Sequence, residues 1–517
     1  MIHLDERTQR QIQGLQKWRL NKGIGGLEWS TGVGKTTAAI WFAIKTTREK
    51  HPTCSIGVVV HNPNMKKTWK ANLKRFKVED VVVATASEFI SEAYRKDHPL
   101  AFDLVVLDEP MSMMGTETKQ IWSGTIIAKW WLWLDASMDR DNPTVKEFLK
   151  IFPMVDYIGE KEAMAKGFTS KSIIINYGLD LPEDIKIEYE ELSMEIEILR
   201  KSFGKEGLAA ANWCLSGKSE QNSKGDWIRL PREVMVMKVA ASLGYTSDIS
   251  TRIVQEQNEL RKLELIRTQI ECNPQSLLAK ASTLMELTRK RVFMLYKHER
   301  KIEVAKAIIK ALVDKKIICF SESREFIKDL TNQLNLADIA AVSCYSDREN
   351  MPMGMGIDGL SFYPISADLV KYKSGEKKGQ TKMFGDTSLN NAAKSDFKFG
   401  IVNKLVSGRS MVKGYDDPKI QIVMICSGSS NADTFVQKKG RSERLDVDDP
   451  DKTAVTICLY FQNTVDQYWL NRYQKKTTVP ITSLIEPYHS VNDIKNIIDG
   501  TGNSDQQNGQ AFSSIFS

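Results

Sequence analysis

A glycine-containing segment near the amino terminus could bind phosphate. Residues 30–36 read Ser-Thr-Gly-Val-Gly-Lys-Thr, after an apolar strand candidate at 26–29 and before a helical pattern at 37–47. Glycines let backbone N–H groups approach a phosphate, and a helix N-terminus adds a favourable partial charge. The residues expected to hold the phosphates are Thr31, Gly32, Val33, Gly34, Lys35 and Thr36. The alternative is an ordinary glycine-rich turn.

Within this loop we expect Lys35 to contact the β- and γ-phosphates of ATP and Thr36 to hold Mg²⁺. Trp29 stands where the pattern GxxxxGK[ST] has its first glycine. The loop therefore matches the pattern at its second glycine, its lysine and its threonine, but not at its first position.

Two adjacent carboxylates could complete the chemistry. Residues 102–110 read Phe-Asp-Leu-Val-Val-Leu-Asp-Glu-Pro, so an apolar run ends at Asp108 and Glu109. At the carboxyl edge of a strand such a pair can diverge into one site. We expect Asp108 to bind Mg²⁺ directly or through water, and Glu109 to polarise the attacking water. The alternative is an acidic strand-to-turn junction, which is common in α/β proteins.

A third segment could supply positive charge to a phosphate. Residues 437–444 read Gln-Lys-Lys-Gly-Arg-Ser-Glu-Arg, so on a helix Arg441 and Arg444 would share one face. Planar guanidinium groups suit a γ-phosphate whose charge redistributes during hydrolysis. A solvated basic helix is the alternative.

The elements that must position these residues follow an alternating pattern. Strand-like runs occur at 56–60, 81–84, 104–107 and 132–134, with helical patterns at 36–48, 65–77 and 86–96. A second series begins with a helix at 301–313 and continues with strands at 316–320, 340–344, 399–403, 420–426 and 454–460. This alternation predicts the α/β class, with two parallel sheets wrapped by helices.

The remaining segments have other patterns. Residues 181–300 are rich in helix formers and are interpreted as a helical insertion or linker, with a loop at 216–226. Residues 345–395 lack clear periodicity and are interpreted as an elaborated loop region. Residues 501–517 are rich in Gly, Asn, Gln and Ser, which favours a disordered tail.

Composition narrows the function classes. The 517 residues are 42% hydrophobic and 26% charged, as in soluble globular proteins. The chain has no apolar run of about 18 residues and a charged amino terminus, so we expect no membrane span, no secretory signal and a cytoplasmic location. Seven scattered cysteines are interpreted as reduced core residues. The net charge of +7 permits a nucleic-acid partner, and residues 65–77 carry six positive charges and two aromatics.

In order and spacing, these segments resemble the motifs of superfamily 2 helicases and translocases. The phosphate loop, Asp108-Glu109 and 437–444 resemble motifs I, II and VI. Segments 58–63, 85–87, 135–137, 319–321 and 410–418 resemble motifs Ia, Ib, III, IV and V. Gln11 is similar to a glutamine that reads adenine in phage recombination helicases and XPB-like enzymes. Motif II reads Asp-Glu-Pro-Met, so it is neither DEAD nor DEAH, and Lys413 replaces the usual glutamate of motif V.

The resemblance implies two tandem RecA-like domains with ATP and Mg²⁺ between them. Domain 1 would span 1–178, the linker and helical insertion 179–300, domain 2 301–485 and the tail 486–517. The catalytic residues it implies are Lys35, Asp108, Glu109, Gln437, Arg441 and Arg444. The nucleotide-binding residues it adds to the phosphate loop are Gln11, Gly414 and Asp416.

The resemblance also implies a nucleic acid held chiefly through its phosphates. The contacts expected are Pro63, Lys66, Lys67, Trp69, Thr85, Ser87 and Ser321. Because residues 187–192 resemble a segment of duplex-DNA translocases, we expect a DNA helicase or translocase that remodels branched recombination, repair or replication intermediates, as phage enzymes do. Protein partners would bind through 200–300. The alternatives are an RNA helicase of the same superfamily and a non-hydrolysing nucleic-acid-binding scaffold.

Overall fold

The computed structural model describes residues 5–115, 118–221, 227–346, 351–352, 371, 378–408, 411, 415–428, 432–475 and 477–500. The chain divides into two compact units, one formed by 1–180 with 296–517 and the other by 181–295. Among the described residues, no helix combines the length and the apolar character needed to cross a membrane.

The first unit starts with a parallel sheet of six strands. These are β1 (Ile24–Trp29), β2 (Ile56–Val60), β3 (Val81–Thr85), β4 (Leu100–Asp108), β5 (Ile126–Asp135) and β6 (Met154–Ile158), in the order β3-β2-β4-β5-β1-β6. The α-helices of this part are α1 (Glu6–Leu20), α2 (Lys35–Ala38), α3 (Thr46–Lys50), α4 (Pro63–Arg75), α5 (Ala86–Lys96), α6 (Pro143–Ile151) and α7 (Glu160–Ala165). A π-helical stretch, Ala39–Lys45, joins α2 to α3.

Both faces of this sheet are buried. In β4, Leu104 and Val106 belong to one core cluster, and Val105 and Leu107 belong to another. Consecutive strand side chains point to opposite faces, so an uninterrupted apolar run fills the cores on both sides of a parallel sheet. In β4 the buried run from Leu104 to Leu107 is apolar, and the acidic residues at 108 and 109 follow it at the carboxyl end of the strand.

The next strand, β7 (Lys171–Leu179), belongs to a second sheet. It pairs in parallel with the strand Thr453–Phe461 along its whole length. The domain boundary expected at 178 therefore falls inside a strand of the second sheet. A buried parallel strand is an apolar run whose sequence carries no mark of the sheet it joins.

The second unit is mainly helical, as predicted. Its elements are α8 (Glu183–Lys201), α9 (Leu208–Ser216), β8 (Lys218–Gln221), β9 (Trp227–Leu230), α10 (Arg232–Ser242), α11 (Ile249–Gln255), α12 (Glu259–Glu271) and α13 (Pro274–Tyr296), the last of which ends at the unit boundary. The segment expected to be a loop at 216–226 is different: β8 pairs with β9 in an antiparallel hairpin, and 222–226 lie outside the described residues.

The second sheet of the first unit contains seven parallel strands. After β7 these are β10 (Ile317–Phe320), β11 (Ala341–Cys344), β14 (Lys404–Ser407), β15 (Ile422–Ile425), β16 (Thr453–Phe461) and β17 (Ile481–Ile485), in the order β11-β14-β10-β15-β16-β7-β17. Two short strands, β12 (Met351–Pro352) and β13 (Met383–Phe384), form a separate pair. The helices are α14 (Glu299–Ala311), α15 (Arg324–Asn335), α16 (Asp386–Lys398), α17 (Ala432–Lys439), α18 (Val465–Gln474) and α19 (Val491–Ile498).

Three expectations for this part of the chain need correction. The strand expected at 399–403 begins at Lys404, because Phe399 ends α16 and Gly400 adopts a φ of +74°. The loop region expected at 345–395 includes the start of α16. The tail expected at 486–517 includes α19, with Ile494 fully buried, whereas 501–517 lie outside the described residues.

Gly26 tests how closely β1 packs in the first sheet. A Cβ atom on Gly26 would lie 2.0 Å from Cδ2 of the buried Trp133. We expect Gly26→Ala to lower the free energy of unfolding by about 1–3 kcal/mol, the usual cost of overpacking, measured by guanidinium denaturation. Gly115→Ala is the control, because among the described residues its added Cβ would meet only Thr118, at an ordinary 3.5 Å. Equal stabilities of the two variants would contradict this close packing.

Candidate active site

The loop between β1 and α2 has the backbone shape of an anion-binding loop. Gly32 and Gly34 have φ angles of +82° and +93°, which glycine adopts without a steric penalty. A Cβ on Gly34 would also lie 2.8 Å from Nε2 of Gln11. The helical segment begins at Lys35, with Thr36 in its first turn, and the first N–H groups of a helix point towards such a loop. The six predicted loop residues therefore lie together in one turn between a strand and a helix.

Helix α1 supports this loop from outside. Nε2 of Gln11 donates a hydrogen bond to the Val33 oxygen at 2.7 Å. Nε of Arg7 donates to the same oxygen at 3.1 Å, and its Nη2 donates to the Gly32 oxygen. Gln11 thus lies beside the loop, as a nucleotide contact would have to. Arg7 was missed, since a single arginine at the second position of α1 carries no distinctive signal in the sequence.

Lys35 lies among carboxylates at the carboxyl edge of the first sheet. Its Nζ donates to the backbone oxygens of Trp29, at 2.7 Å, and Ser30, at 3.3 Å. Burial lowers the pKa of Lys35, while the negative charges of Asp135 and Asp108, with smaller contributions from nearby glutamates, act against this. The ammonium group is therefore directed at the loop and gains from any anion bound there.

Asp108 and Glu109 lie beside this loop at the end of β4. Asp108 is buried, and its Oδ2 accepts a hydrogen bond of 2.6 Å from Nε1 of Trp69. Glu109 has a φ of +56°, an uncommon conformation for a residue with a Cβ atom, and such residues cluster at active sites. Nε2 of Gln437 donates to Oε2 of Glu109 at 3.4 Å. The structure thus brings the predicted pair Asp108-Glu109 together with Gln437, which lies on helix α17 of the second domain.

Asp135, at the end of β5, organises the neighbouring loops. Its Oδ1 accepts from the Ala136 N–H at 2.7 Å, and its Oδ2 accepts from the Met111 N–H at 3.1 Å. The sequence identified 135–137 as a motif but assigned no contact to Asp135. The side chain ties the loop after β5 to the loop after Glu109, which links two segments of the candidate site.

Arg441 and Arg444 converge on one backbone oxygen. Nη1 of each donates to the oxygen of Tyr415, from Arg444 at 2.8 Å, and Arg444 also pairs with Asp416. Burial lowers the pKa of Arg441 to about 9, and the neighbouring charge of Arg444 acts in the same direction. The positive charges of the buried Arg441 and the partly exposed Arg444 repel each other, so an anion between or beside them would stabilise both. Gly414 lies outside the described residues.

Glu443 connects the arginine segment to the phosphate loop. Its Oε2 accepts from Oγ1 of Thr31 at 3.1 Å, and its other carboxylate oxygen pairs with Lys439. Lys439 is also paired with Glu160 at 2.7 Å. The backbone N–H of Ser170 donates to the backbone oxygen of Glu443 at 2.9 Å. Sequence reasoning missed this network. The four-residue spacing of Lys439 and Glu443 could have indicated that pair, but Glu160 offered no such signal.

The unusual Trp29 has a structural explanation. Its side chain is fully buried, and its Nε1 donates to Oδ2 of Asp156 at 2.8 Å. Asp156 also accepts from Arg10 at 2.7 Å and from Lys17 at 2.6 Å, both on α1. A Cβ on Gly14 of α1 would lie 2.4 Å from the Trp29 ring. Trp29 therefore fixes α1 to β1 and points away from the loop that follows it.

Some of the expected nucleic-acid contacts are accessible. Pro63, Lys67 and Ser87 are exposed, and Lys66 is half-buried. Nζ of Lys66 pairs with Glu88 at 2.7 Å. These four residues belong to the starts of α4 and α5, where a backbone phosphate could approach.

Three other residues predicted to contact the nucleic acid have buried side chains. Trp69 is 1% exposed, Thr85 is 8% exposed and Ser321 is 1% exposed. The Thr85 hydroxyl accepts from the Glu88 N–H at 3.3 Å and caps α5, and the Ser321 hydroxyl accepts from the Ser323 N–H at 3.2 Å. These polar groups satisfy backbone donors at strand-to-helix turns instead of facing solvent.

The fold can be compared with known proteins. No protein-family model matches the sequence, and no curated protein matches it. Dbp5 from S. cerevisiae bound to RNA and ADP BeF3 aligns over 97% of this chain and 98% of that chain, with a TM-score of 0.50 and 10% identity. A single-residue variant of Dbp5 with the same ligands gives the same values.

The chain shares the fold of these Dbp5 structures, with two α/β domains that each contain a parallel sheet. Two tandem RecA-like domains with parallel sheets, predicted from the sequence, are confirmed. The helicase domain of Hef from Pyrococcus furiosus also aligns, over 89% of this chain and 98% of that chain, with a TM-score of 0.41 and 16% identity. At these sequence identities the likeness concerns the fold alone.

Trp29 allows a test of this local arrangement. Trp29→Gly restores the common first residue of the loop but removes a fully buried indole and one donor to Asp156. We expect it to lower the free energy of unfolding by roughly 3–5 kcal/mol, the range for large-to-small core changes. Trp29→Phe should cost less, because it keeps most of the ring. If Trp29→Gly were as stable as the wild type in chemical denaturation, the structural role of Trp29 would be refuted.

Proposed function

We propose that this protein is an ATP-dependent nucleic-acid helicase or translocase and that DNA is its favoured substrate. The observation that carries the proposal is that side chains of the two RecA-like domains meet beside the phosphate loop and the Asp108-Glu109 pair. Gln437 donates to Glu109 at 3.4 Å, and Thr31 donates to Glu443 at 3.1 Å. An ATPase site shared by two domains requires contacts of this kind, because closure of the domains must complete it.

The phosphate loop would bind the triphosphate. Its glycine conformations expose backbone N–H groups, and Lys35 exchanges its contacts with the Trp29 and Ser30 oxygens for phosphate oxygens. Gln11 and Arg7 hold the loop in this shape from α1. The loop therefore needs little rearrangement to accept an anion.

The donor set beside the loop fits a magnesium ion. Thr36 supplies a hydroxyl and Asp108 a buried carboxylate, and oxygen ligands of this kind are those that Mg²⁺ prefers. When bound, the ion neutralises charge on the transferred phosphate. Glu109, next to Asp108, orients the attacking water and accepts its proton.

The second domain would supply positive charge. The positive charges of Arg441 and Arg444 repel each other, and an anionic γ-phosphate would relieve this repulsion. Before the nucleotide binds, Arg444 forms an ion pair with Asp416. Hydrolysis is thus favoured only when both domains contact the nucleotide, which couples the reaction to domain movement.

The nucleic acid would contact the exposed basic residues of α4. Lys67, Lys70 and Lys74 are exposed, and contacts to phosphates give little sequence preference. DNA is favoured by the segment at 187–192 and by a motif II that differs from DEAD and DEAH. RNA is the second candidate, because the Dbp5 structures with this fold are bound to RNA.

The test is phosphate release with single-stranded DNA, duplex DNA, branched DNA and RNA at one salt concentration. We expect DNA to stimulate hydrolysis most, and branched DNA to do so at least as well as duplex DNA. If RNA stimulated phosphate release more than DNA, the assigned substrate would be RNA. Absence of hydrolysis with every nucleic acid would favour a non-hydrolysing scaffold.

The variant Lys35→Ala tests the proposed phosphate-binding site directly. It removes the cation that faces the phosphates, so we expect stimulated phosphate release to fall to background while the circular dichroism spectrum is unchanged. Lys50→Ala, an exposed change at the end of the same helical segment, should keep wild-type turnover. Full turnover in Lys35→Ala would refute the proposed site.

A further inference from the structure

Helix α4 has two faces of different chemistry. Met65, Trp69 and Leu73 are spaced four residues apart and are buried in the core below the helix. Lys67, Lys70 and Lys74 are exposed to solvent. One rigid element therefore joins a positively charged surface to the interior of the first domain.

The buried face of α4 reaches the end of β4. Nε1 of Trp69 donates to Oδ2 of Asp108 at 2.6 Å, with Trp69 1% and Asp108 7% exposed. An indole N–H is a donor only, so it needs an acceptor such as a carboxyl oxygen of Asp108. A buried carboxylate also needs such donors to offset its desolvation. The bond therefore limits how the Asp108 carboxylate can rotate.

The packing around Trp69 leaves its ring little freedom. The ring belongs to the core cluster that includes Val60 of β2 and Leu104 and Val106 of β4. Asn62 caps α4 through hydrogen bonds from the N–H groups of Asn64 and Met65, both 3.0 Å. The position of the donor is thus set by the position of α4 as a whole.

We infer that Trp69 is a positioning residue for the divalent cation: it holds Asp108 in the orientation that binds Mg²⁺ and links that orientation to α4. The inference rests on the proposed function, in which Asp108 is a metal ligand. Groups that hydrogen-bond to a metal ligand typically change metal affinity 10–100-fold. Because Trp69 and the exposed lysines share one helix, a polyanion bound to the lysines acts on the metal site through this hydrogen bond.

The direct test is Mn²⁺ binding to the full chain in the presence of ADP, measured by electron paramagnetic resonance. Trp69→Phe keeps an aromatic ring and removes the donor, and we expect Mn²⁺ affinity to fall about 10-fold or more. Trp133→Phe is the control, because it removes an N–H that donates at 2.9 Å to the Phe152 oxygen, from a ring that is also 1% exposed. Its Mn²⁺ affinity should equal that of the wild type. Equal affinities of the two variants would overturn the inference.

A second variant separates hydrogen bonding from packing. Trp69→His has a smaller ring but keeps an N–H donor, so we expect it to retain more Mn²⁺ affinity than Trp69→Phe. If both variants lost the same affinity, the effect would come from packing alone and the inference would fail. Melting temperatures of all variants, followed by circular dichroism, identify any change in folding.

Kinetics give an independent readout. In Trp69→Phe the Mg²⁺ concentration for half-maximal phosphate release should rise, and stimulation by nucleic acid should fall, relative to Trp133→Phe. An unchanged Mg²⁺ dependence and unchanged stimulation would contradict the role of Trp69. If the wild type itself neither bound Mn²⁺ with ADP nor hydrolysed ATP, the proposed function would fail first, and the inference with it.

Discussion

The positive charge of the partly buried Lys35 is the constraint on which the candidate site depends. Removing an ammonium group from water costs several kcal/mol unless nearby groups compensate. Here the compensation comes from Glu28, Asp108, Glu109 and Asp135, at the ends of the adjacent strands β4, β5 and β1. Parallel pairing brings these ends to one edge, so the sheet order makes the balance possible. Arg140 neutralises Glu28, and the remaining excess of negative charge suits a divalent cation.

The second domain contacts the first domain near the phosphate loop through charged residues that form ion pairs. Lys439 lies between Glu443 and Glu160, and Glu443 also accepts from Thr31. Buried pairs of this kind add little net stability, since desolvation offsets their attraction, but breaking one partner is costly. They therefore define how the arginine segment lies against the phosphate loop.

The sequence predicts what local patterns encode. The strands at 56–60 and 104–107 are uninterrupted apolar runs, and the loop at 30–36 needs glycine at positions with positive φ, so both could be found in advance. Partners distant in the chain could not, as with Thr31 and Glu443, which are 412 positions apart. Trp69 among lysines suggested a surface contact, yet its spacing from Met65 and Leu73 marks the buried face of α4. The sheet that β7 joins is decided by tertiary packing alone.

The central claim is that the two domains form one ATP-hydrolysing site in which Glu109 activates water. Comparing nucleotide binding and single-turnover hydrolysis in Glu109→Gln tests it most directly. The account predicts nearly wild-type affinity for a fluorescent ATP analogue with Mg²⁺, because Glu109 binds neither the phosphates nor the metal. It also predicts hydrolysis slower by about 10²–10⁴-fold, the usual contribution of a general base. Wild-type hydrolysis by Glu109→Gln would contradict the account.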